Sequence, residues 1–118
     1  MKNEALDRDL NQLAELLRKY GHDGQATVVD EIWSTLDTST PDYQRLAGID
    51  MWGGAGAVWE VCLLTSKVQR ATNEGRGDEK SFREAIIRTA AEMDRLGIGT
   101  ARSRDIAKTF RFWIDKGL

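Results

Sequence analysis

The 118-residue chain contains very few residues of several types, and their scarcity excludes several classes of function. It has one histidine, one cysteine and one proline, and no apolar run near the about 20 residues that span a bilayer. Cys62 cannot pair within the chain, and the acidic residues from Glu4 onward argue against a secretory signal. These absences predict a cytoplasmic protein with no disulfide and no membrane span. We expect the Cys62 thiol to be buried in the apolar run 61–64.

The scarcity of histidine and cysteine also excludes two common kinds of catalytic site. The letters GHDG at 21–24 suggest a His-Asp metal phosphohydrolase, but such a site needs several histidines and His22 is the only one. A catalytic dyad of Cys62 and His22 is also disfavoured, because Cys62 lies in a predicted apolar helix, where a thiolate forms with difficulty. We predict a protein that is not an enzyme and holds no metal or cofactor. Asp23 is expected to cap the following helix, with His22 packed or exposed in the turn.

Charge is distributed unevenly along the chain. Residues 1–59 contain 5 Lys/Arg and 10 Asp/Glu, a balance of −5, whereas residues 60–118 contain 12 and 9, a balance of +3. The basic half interleaves arginine with acidic residues and builds no continuous stripe, so nucleic-acid binding is disfavoured. The acidic half has two interpretations. It provides either ordinary solvated helix faces or a surface that attracts a basic partner protein.

Apolar residues recur at helical spacing, and no alternating β-branched pattern interrupts them. We predict an all-α fold, a single domain over 1–118 built as a compact irregular bundle of five or six short helices. The predicted helices cover 3–20, 25–36, 41 to 46 or 49, 57–70, 79–96 and 102–116. Gly21 and Gly97 are expected to end two of them in the left-handed conformation. The helix over 57–70 is predicted to be the most buried element, and 72–78 (TNEGRGD) the most flexible loop.

The aromatic residues of the second half follow the helical spacing with one exception. Phe82, Phe110 and Trp113 fall on apolar helix faces and are predicted core residues. Phe112 falls outside these faces and is expected to face solvent or a partner.

The stretch DMWGGAGAVWEV, residues 50–61, has three glycines between two tryptophans and a carboxylate outside each tryptophan. One interpretation is structural, because glycines permit a tight turn and close packing of the next helix. The other is that N–H groups after Gly54, at the start of that helix, bind an anion together with Arg or Lys from the last two helices. No P-loop ending and no preceding strand supports a known phosphate motif. The candidate partner- or ligand-binding residues are Asp50, Trp52, Gly53, Gly54, Gly56, Trp59 and Glu60, with His22 and Asp23.

Two of these motifs together resemble a family of small bacterial all-helical proteins of unknown function. In that family a Tyr-Gly-His-Asp-Gly turn precedes a helix, as at 20–24, and a Gly-Gly-x-Gly loop follows a short helix, as at 53–56. The resemblance covers roughly residues 13–64, and it departs from the family at 57–60, where AVWE replaces a more polar pattern. It implies bacterial origin and a shared scaffold but no reaction.

The sequence supports three functional hypotheses. The first is an immunity protein or other inhibitor, indicated by the small size, the lack of a catalytic constellation and the −5 balance of residues 1–59. It would neutralise a cognate toxin through an acidic, tryptophan-containing face. The resembled proteins are similar in type to those encoded beside polymorphic toxins. The second is a domain that binds a small ligand, phosphate or nucleotide at the glycine loop. The third is a helical homodimer with a structural role.

Overall fold

The helical spacing of the sequence produces six α-helices, one 3₁₀ helix and no strand within residues 3–118, the part of the chain that this computed structural model describes. Residues 1 and 2 of the predicted domain lie outside the described residues. The α-helices are α1 (Glu4–Lys19), α2 (Asp23–Leu36), α3 (Ile49–Trp52), α4 (Lys67–Ala71), α5 (Asn73–Arg95) and α6 (Ala101–Lys116), and the 3₁₀ helix is Val58–Glu60. The prediction of an all-α bundle is confirmed.

The first two helices form a hairpin that follows the sequence pattern closely. The leucine stripe of α1 is almost completely buried: Leu6, Leu10, Leu13 and Leu17. Gly21 adopts a φ of 82°, and the N–H groups of Gly21 and His22 donate to the Arg18 and Leu17 carbonyls, at 3.1 and 2.7 Å. This pattern is a Schellman cap, so the predicted left-handed end of the first helix is confirmed. Gly97, with a φ of 77°, follows the end of α5 in the same conformation.

The prediction that Asp23 caps the second helix is wrong. The helix begins at Asp23 itself, two residues before the predicted start, and the N-cap position belongs to His22, which makes no side-chain cap bond. The Schellman cap at Gly21 delivers the chain directly into α2, so no separate capping residue is interposed. The Asp23 carboxylate instead lies in the first helical turn, where the helix dipole favours a negative charge.

The helix predicted to begin at Pro41 does not form. Asp42 competes for the backbone here: its N–H donates to the Thr35 carbonyl at 3.0 Å, and its carboxylate accepts the Gln44 N–H at 3.0 Å. An aspartate that bonds the N–H two residues ahead stabilises a turn rather than a helix. Residues 44–47 therefore make a turn, and helical structure resumes only in the four residues of α3.

The long buried helix predicted over 57–70 is also absent. Val58–Glu60 is a single 3₁₀ turn, residues 61–65 are non-helical, and Ser66 starts α4 with a capping box in which Gln69 reciprocates. The apolar residues of this segment enter the core from a non-helical chain, and Leu63 and Leu64 are buried. Cys62 is exposed, so the prediction of a buried thiol is wrong. The helices that bury most are α1 and α5, with seven buried residues each.

The segment 72–78, predicted to be a flexible loop, forms the first turns of α5. Thr72 accepts the Gly75 N–H at 2.8 Å and caps the helix. Gly75 is required for close approach, because a Cβ there would lie 2.1 Å from the Gln69 carbonyl oxygen. Thr72 ends α4 and begins α5, so glycine serves tight packing at this junction instead of mobility.

One hydrophobic cluster joins the helices, with α1 packed on α2 and α5, and α5 on α6. Phe82 and Phe110 are buried in it, and Phe112 is 53% exposed, as the sequence predicted. Trp113, predicted as a core residue, is only half-buried and packs against the cluster. The Cα radius of gyration of 13.8 Å matches the about 13.5 Å expected for a compact domain of this length.

Candidate functional site

The glycine loop, residues 53–56, is held in place by side chains that donate hydrogen bonds to the backbone carbonyl groups at its start. The indole N–H of Trp59 donates to the Gly53 carbonyl at 2.6 Å. Arg102, from α6, donates to the Trp52 carbonyl at 2.9 Å and to the Gly53 carbonyl at 3.2 Å. An arginine from the last helix does reach the loop, as the anion hypothesis expected, but it is bound to backbone oxygen atoms.

Two N–H groups at the ends of the loop, those of Gly53 and Ala57, are also engaged. Gly53 N–H donates to the Ile49 carbonyl at 2.9 Å, and Ala57 N–H donates to the Gly54 carbonyl at 3.0 Å. The loop leads into a three-residue 3₁₀ turn, so it lacks the long helix whose N-terminus the phosphate hypothesis required. The requirement for glycine is local, because a Cβ on Gly53 would lie 2.6 Å from the Ile49 carbonyl oxygen and Gly56 has a φ of 88°.

An open groove lies beside this loop, and we call it the loop groove. Its volume is about 390 Å³, and its lining is Ala47, Gly48, Ile49, Trp52, Gly53, Gly54, Thr100 and Arg102. Trp52 is 2% exposed and donates its indole N–H to the Leu46 carbonyl at 2.8 Å, so it supports the groove from the core. Ile49 is 81% exposed at the groove and is the most exposed large apolar side chain described.

An acidic surface extends from α2 to this groove, and we call it the acidic face. It consists of six exposed carboxylates: Asp23, Asp30, Glu31, Asp37, Asp42 and Asp50. Arg45 connects its two parts, since its guanidinium lies 3.3 Å from Glu31 on α2 and 3.0 Å from Asp50 on α3. The hydrogen bond to Asp50 raises the pKa of Arg45. Arg45 thus links a carboxylate of α2 by two ion pairs to Asp50, the chain neighbour of Ile49.

His22 and Glu60 belong to a different concavity of about 290 Å³, which Cys62 also lines. The His22 Nε2 atom lies 3.1 Å from the Leu63 carbonyl oxygen, and the Cys62 thiol donates to the Leu64 carbonyl at 3.3 Å. Both side chains are thus directed at backbone oxygen atoms. The fold brings these two residues to one concavity, but their hydrogen bonds do not form a nucleophile and base pair.

A third concavity is enclosed by aromatic rings, and we call it the aromatic pocket. It has a volume of about 270 Å³ and is lined by Trp59, Glu60, Val61, Cys62, Leu63, Glu79, Phe82, Arg83, Phe110 and Trp113. The ring centroids of Trp59 and Phe110 are 6.3 Å apart, and those of Phe110 and Trp113 are 5.3 Å apart. The sequence predicted three of the lining rings, those of Phe82, Phe110 and Trp113, as core residues, and it did not predict the cavity beside them. Helical spacing identifies a buried face but does not indicate how completely the space next to that face is filled.

The nine predicted binding residues therefore do not form one site. Asp50 lies on the acidic face, and Trp52, Gly53 and Gly54 line the loop groove. Trp59 lines the aromatic pocket, Glu60 lines that pocket and the concavity of His22, and Gly56 lines the latter. Asp23 lies at the start of α2, on the acidic face. The loop groove and the aromatic pocket share no lining residue.

The described residues 3–118 hold neither a metal-binding cluster nor a membrane-spanning helix. No three side chains of His, Cys, Asp or Glu converge as a metal site within that range. None of the helices described there is both long and apolar enough to cross a bilayer.

Comparison with known proteins adds no family. No protein-family model, no curated protein and no solved structure matches the chain. The resemblance based on the 20–24 turn and the 53–56 loop therefore stays a prediction.

Proposed function

We propose that this protein is a cytoplasmic, non-enzymatic binding protein that acts as a bacterial immunity protein or inhibitor of a cognate toxin. The observation that carries the proposal is the set of exposed carboxylates on and after α2, two of which, Glu31 and Asp50, are joined by Arg45 beside Ile49 of the loop groove. The exposed carboxylate of Asp50 adjoins along the chain an accessible apolar residue, Ile49, which lines a concave surface. This combination suits a basic protein partner that presents an apolar side chain at the centre of its contact.

The two parts of this surface would contribute differently to binding. Exposed carboxylates accelerate the encounter with a basic partner, and salt screens this effect over about 8 Å at physiological ionic strength. A desolvated apolar contact in a groove slows dissociation. Of the two candidate tryptophans of the predicted face, Trp52 would act from beneath by shaping the groove, because it is buried, and Trp59 lines the aromatic pocket instead.

A binding experiment with a defined partner tests the proposal. The product of any toxin-like gene that neighbours this one is purified and titrated with the protein by calorimetry, and a complex at micromolar concentration is expected. Ile49→Glu should weaken it by at least roughly tenfold, as for a central apolar contact. Val68→Glu is the matched control, because Val68 is also an exposed apolar residue, 76% accessible, and does not line the groove.

Absence of a complex at micromolar concentration would overturn the proposal, as would equal weakening by the two substitutions. A solution mass twice that of the 13.3 kDa chain, without binding to the toxin-like product, would favour the homodimer hypothesis instead.

A further inference from the structure

The aromatic pocket is a separate site, and its composition identifies a class of ligand. We propose that it binds a small organic cation, an amine carried on an apolar ring or branched chain. The pocket is distinct from the surface proposed to bind a toxin, because it shares no lining residue with the loop groove.

The size and the walls of the pocket set the apolar part of the ligand. Its volume of about 270 Å³ is just below the roughly 300–1,000 Å³ of pockets for drug-sized ligands, so one ring system fits. Trp59, Phe110 and Trp113 form a continuous wall with centroid separations of 6.3 and 5.3 Å. Aromatic faces carry negative charge density and attract cations, which selects a positive group over a negative one.

The protein's own arginines already use this property of the wall. The Arg102 guanidinium lies 5.3 Å from the Trp59 ring centroid, and the Arg83 guanidinium lies 5.1 Å from that of Trp113. Arg102 lies on α6 and is hydrogen-bonded to the glycine loop. It does not line the pocket, so it does not fill the cavity beside Trp59. Two of the wall's indoles thus accept cations in this fold.

Two carboxylates line the same pocket and oppose only one cation. Glu60 is exposed and has no ion-pair partner among the described residues. Glu79 lies 3.7 Å from Arg83, beyond ordinary hydrogen-bond length. Arg83 also donates to the Leu118 carbonyl, which lines a neighbouring concavity and not this one. The lining therefore carries an excess negative charge beside aromatic faces, which complements an ammonium group.

Three ligands of the same shape and different charge test the proposal. The protein is titrated with 2-phenylethylamine as its ammonium ion, with neutral 2-phenylethanol and with the anion phenylacetate. Indole N–H resonances are the readout, since Trp59 and Trp113 line the pocket whereas Trp33 and Trp52 do not. We expect the ammonium ion to bind roughly tenfold more tightly than the alcohol, the anion to bind more weakly, and shifts to concentrate at Trp59 and Trp113.

Charge-neutral variants assign the preference to the pocket. Glu79→Gln and Glu60→Gln should each reduce the preference for the ammonium ion over the alcohol by several-fold. Glu15→Gln is the matched control, because Glu15 is an exposed glutamate on α1 outside the pocket, and it should leave the preference unchanged. The amide variants keep the side-chain shape, and a thermal unfolding scan of each confirms that it folds.

Four results would overturn the proposal. They are no binding of the ammonium ion at millimolar concentration, equal binding of ammonium ion and alcohol, tighter binding of phenylacetate, and loss of the preference in Glu15→Gln to the same extent as in the pocket variants.

Discussion

The α1–α2 hairpin and the segment between α2 and α5 are similar in length, yet different forces determine their structures. In the hairpin, the spacing of leucines buries one face of α1, and a left-handed glycine makes the turn. In the segment, side chains bond to nearby backbone groups and glycines allow close contacts, as at Asp42, Ser66 and Gly53. Apolar spacing is therefore informative where helices are long, and local hydrogen bonds decide the structure where they are short.

The largest effect is expected in the core of the hairpin. Leu13 is fully buried, so Leu13→Ala should lower the free energy of unfolding by about 3 kcal/mol through lost burial and a residual cavity. Urea denaturation measures this change. Glu15→Ala, at an exposed position of the same helix, should change it by less than about 0.5 kcal/mol. Similar losses at the two positions would mean that apolar burial does not dominate the hairpin.

Two adjacent glycines provide the corresponding test in the segment. A Cβ on Gly53 would lie 2.6 Å from the Ile49 carbonyl oxygen, so Gly53→Ala should destabilise the protein by about 2 kcal/mol. Gly54 has open space around its Cβ position, and Gly54→Ala should be neutral or stabilising by up to about 1 kcal/mol, because alanine reduces the entropy of the unfolded chain. The same denaturation measurement separates them. An equal loss in both variants would contradict a local steric requirement.

Loss of a cap should have a smaller effect. Ser66 accepts the Gln69 N–H at 3.1 Å and begins α4, so Ser66→Ala should cost about 1 kcal/mol. Ser34→Ala is the control in the hairpin, since its hydroxyl only donates to the Glu31 carbonyl within α2 and alanine favours helix. We expect that control to be neutral or slightly stabilising. Destabilisation by Ser34→Ala as large as that by Ser66→Ala would remove the distinction between the two regions.

The smallest effect concerns the ion pairs that join the end of α1 to the start of α5. Asp78 accepts hydrogen bonds from Tyr20 at 2.6 Å and from Lys19 at 2.7 Å. Burial acts to raise the pKa of Asp78, but the bonds from Lys19 and Tyr20 outweigh it, and the net pKa lies below 3.8. The hydrogen bond between Lys19 and Asp78 also raises the pKa of Lys19.

The sign of the pH dependence follows from these directions. A carboxylate with a lower pKa in the folded state stabilises the fold fully above its unfolded pKa, and this contribution is lost as the pH falls through the folded value. The stability difference between the wild type and Asp78→Asn should be at most about 1 kcal/mol at about pH 7 and should shrink below about pH 4. Asp115→Asn, at an exposed position of α6, is the control. A difference that stays constant down to about pH 3 would contradict this assignment.

The sequence was sufficient for the long helices and insufficient for the segment between them. The apolar spacing of α1, α2, α5 and α6 predicts each to within a few residues, except that α5 begins six residues early. That early start depends on Gly75, which sequence rules treat as a loop residue and which the fold uses for contact with Gln69. The missed break at Ser66 had a recognisable pattern, a serine followed three residues later by glutamine.

The candidate sites were predictable only in part. The unusual stretch at 50–61 does lie beside a groove, and its two acidic residues, Asp50 and Glu60, are exposed. The aromatic pocket depends on residues 59–63 meeting α5 and α6 across a long sequence separation. Periodicity within one helix cannot report such a juxtaposition, and the expected helix over 57–70 would have placed Cys62 and Leu63 on different surfaces.

Trp59 has a rigid side chain that lines one of the two proposed sites and hydrogen-bonds a residue of the other. Its ring lines the aromatic pocket, and its N–H holds the Gly53 carbonyl at the edge of the loop groove. A planar indole cannot tilt at one edge without moving the other, so a guest that rotates this ring alters the position of Gly53. If both proposed sites bind their ligands, thermodynamic reciprocity requires that the factor by which the guest changes the affinity for the protein partner equals the factor by which that partner changes the affinity for the guest.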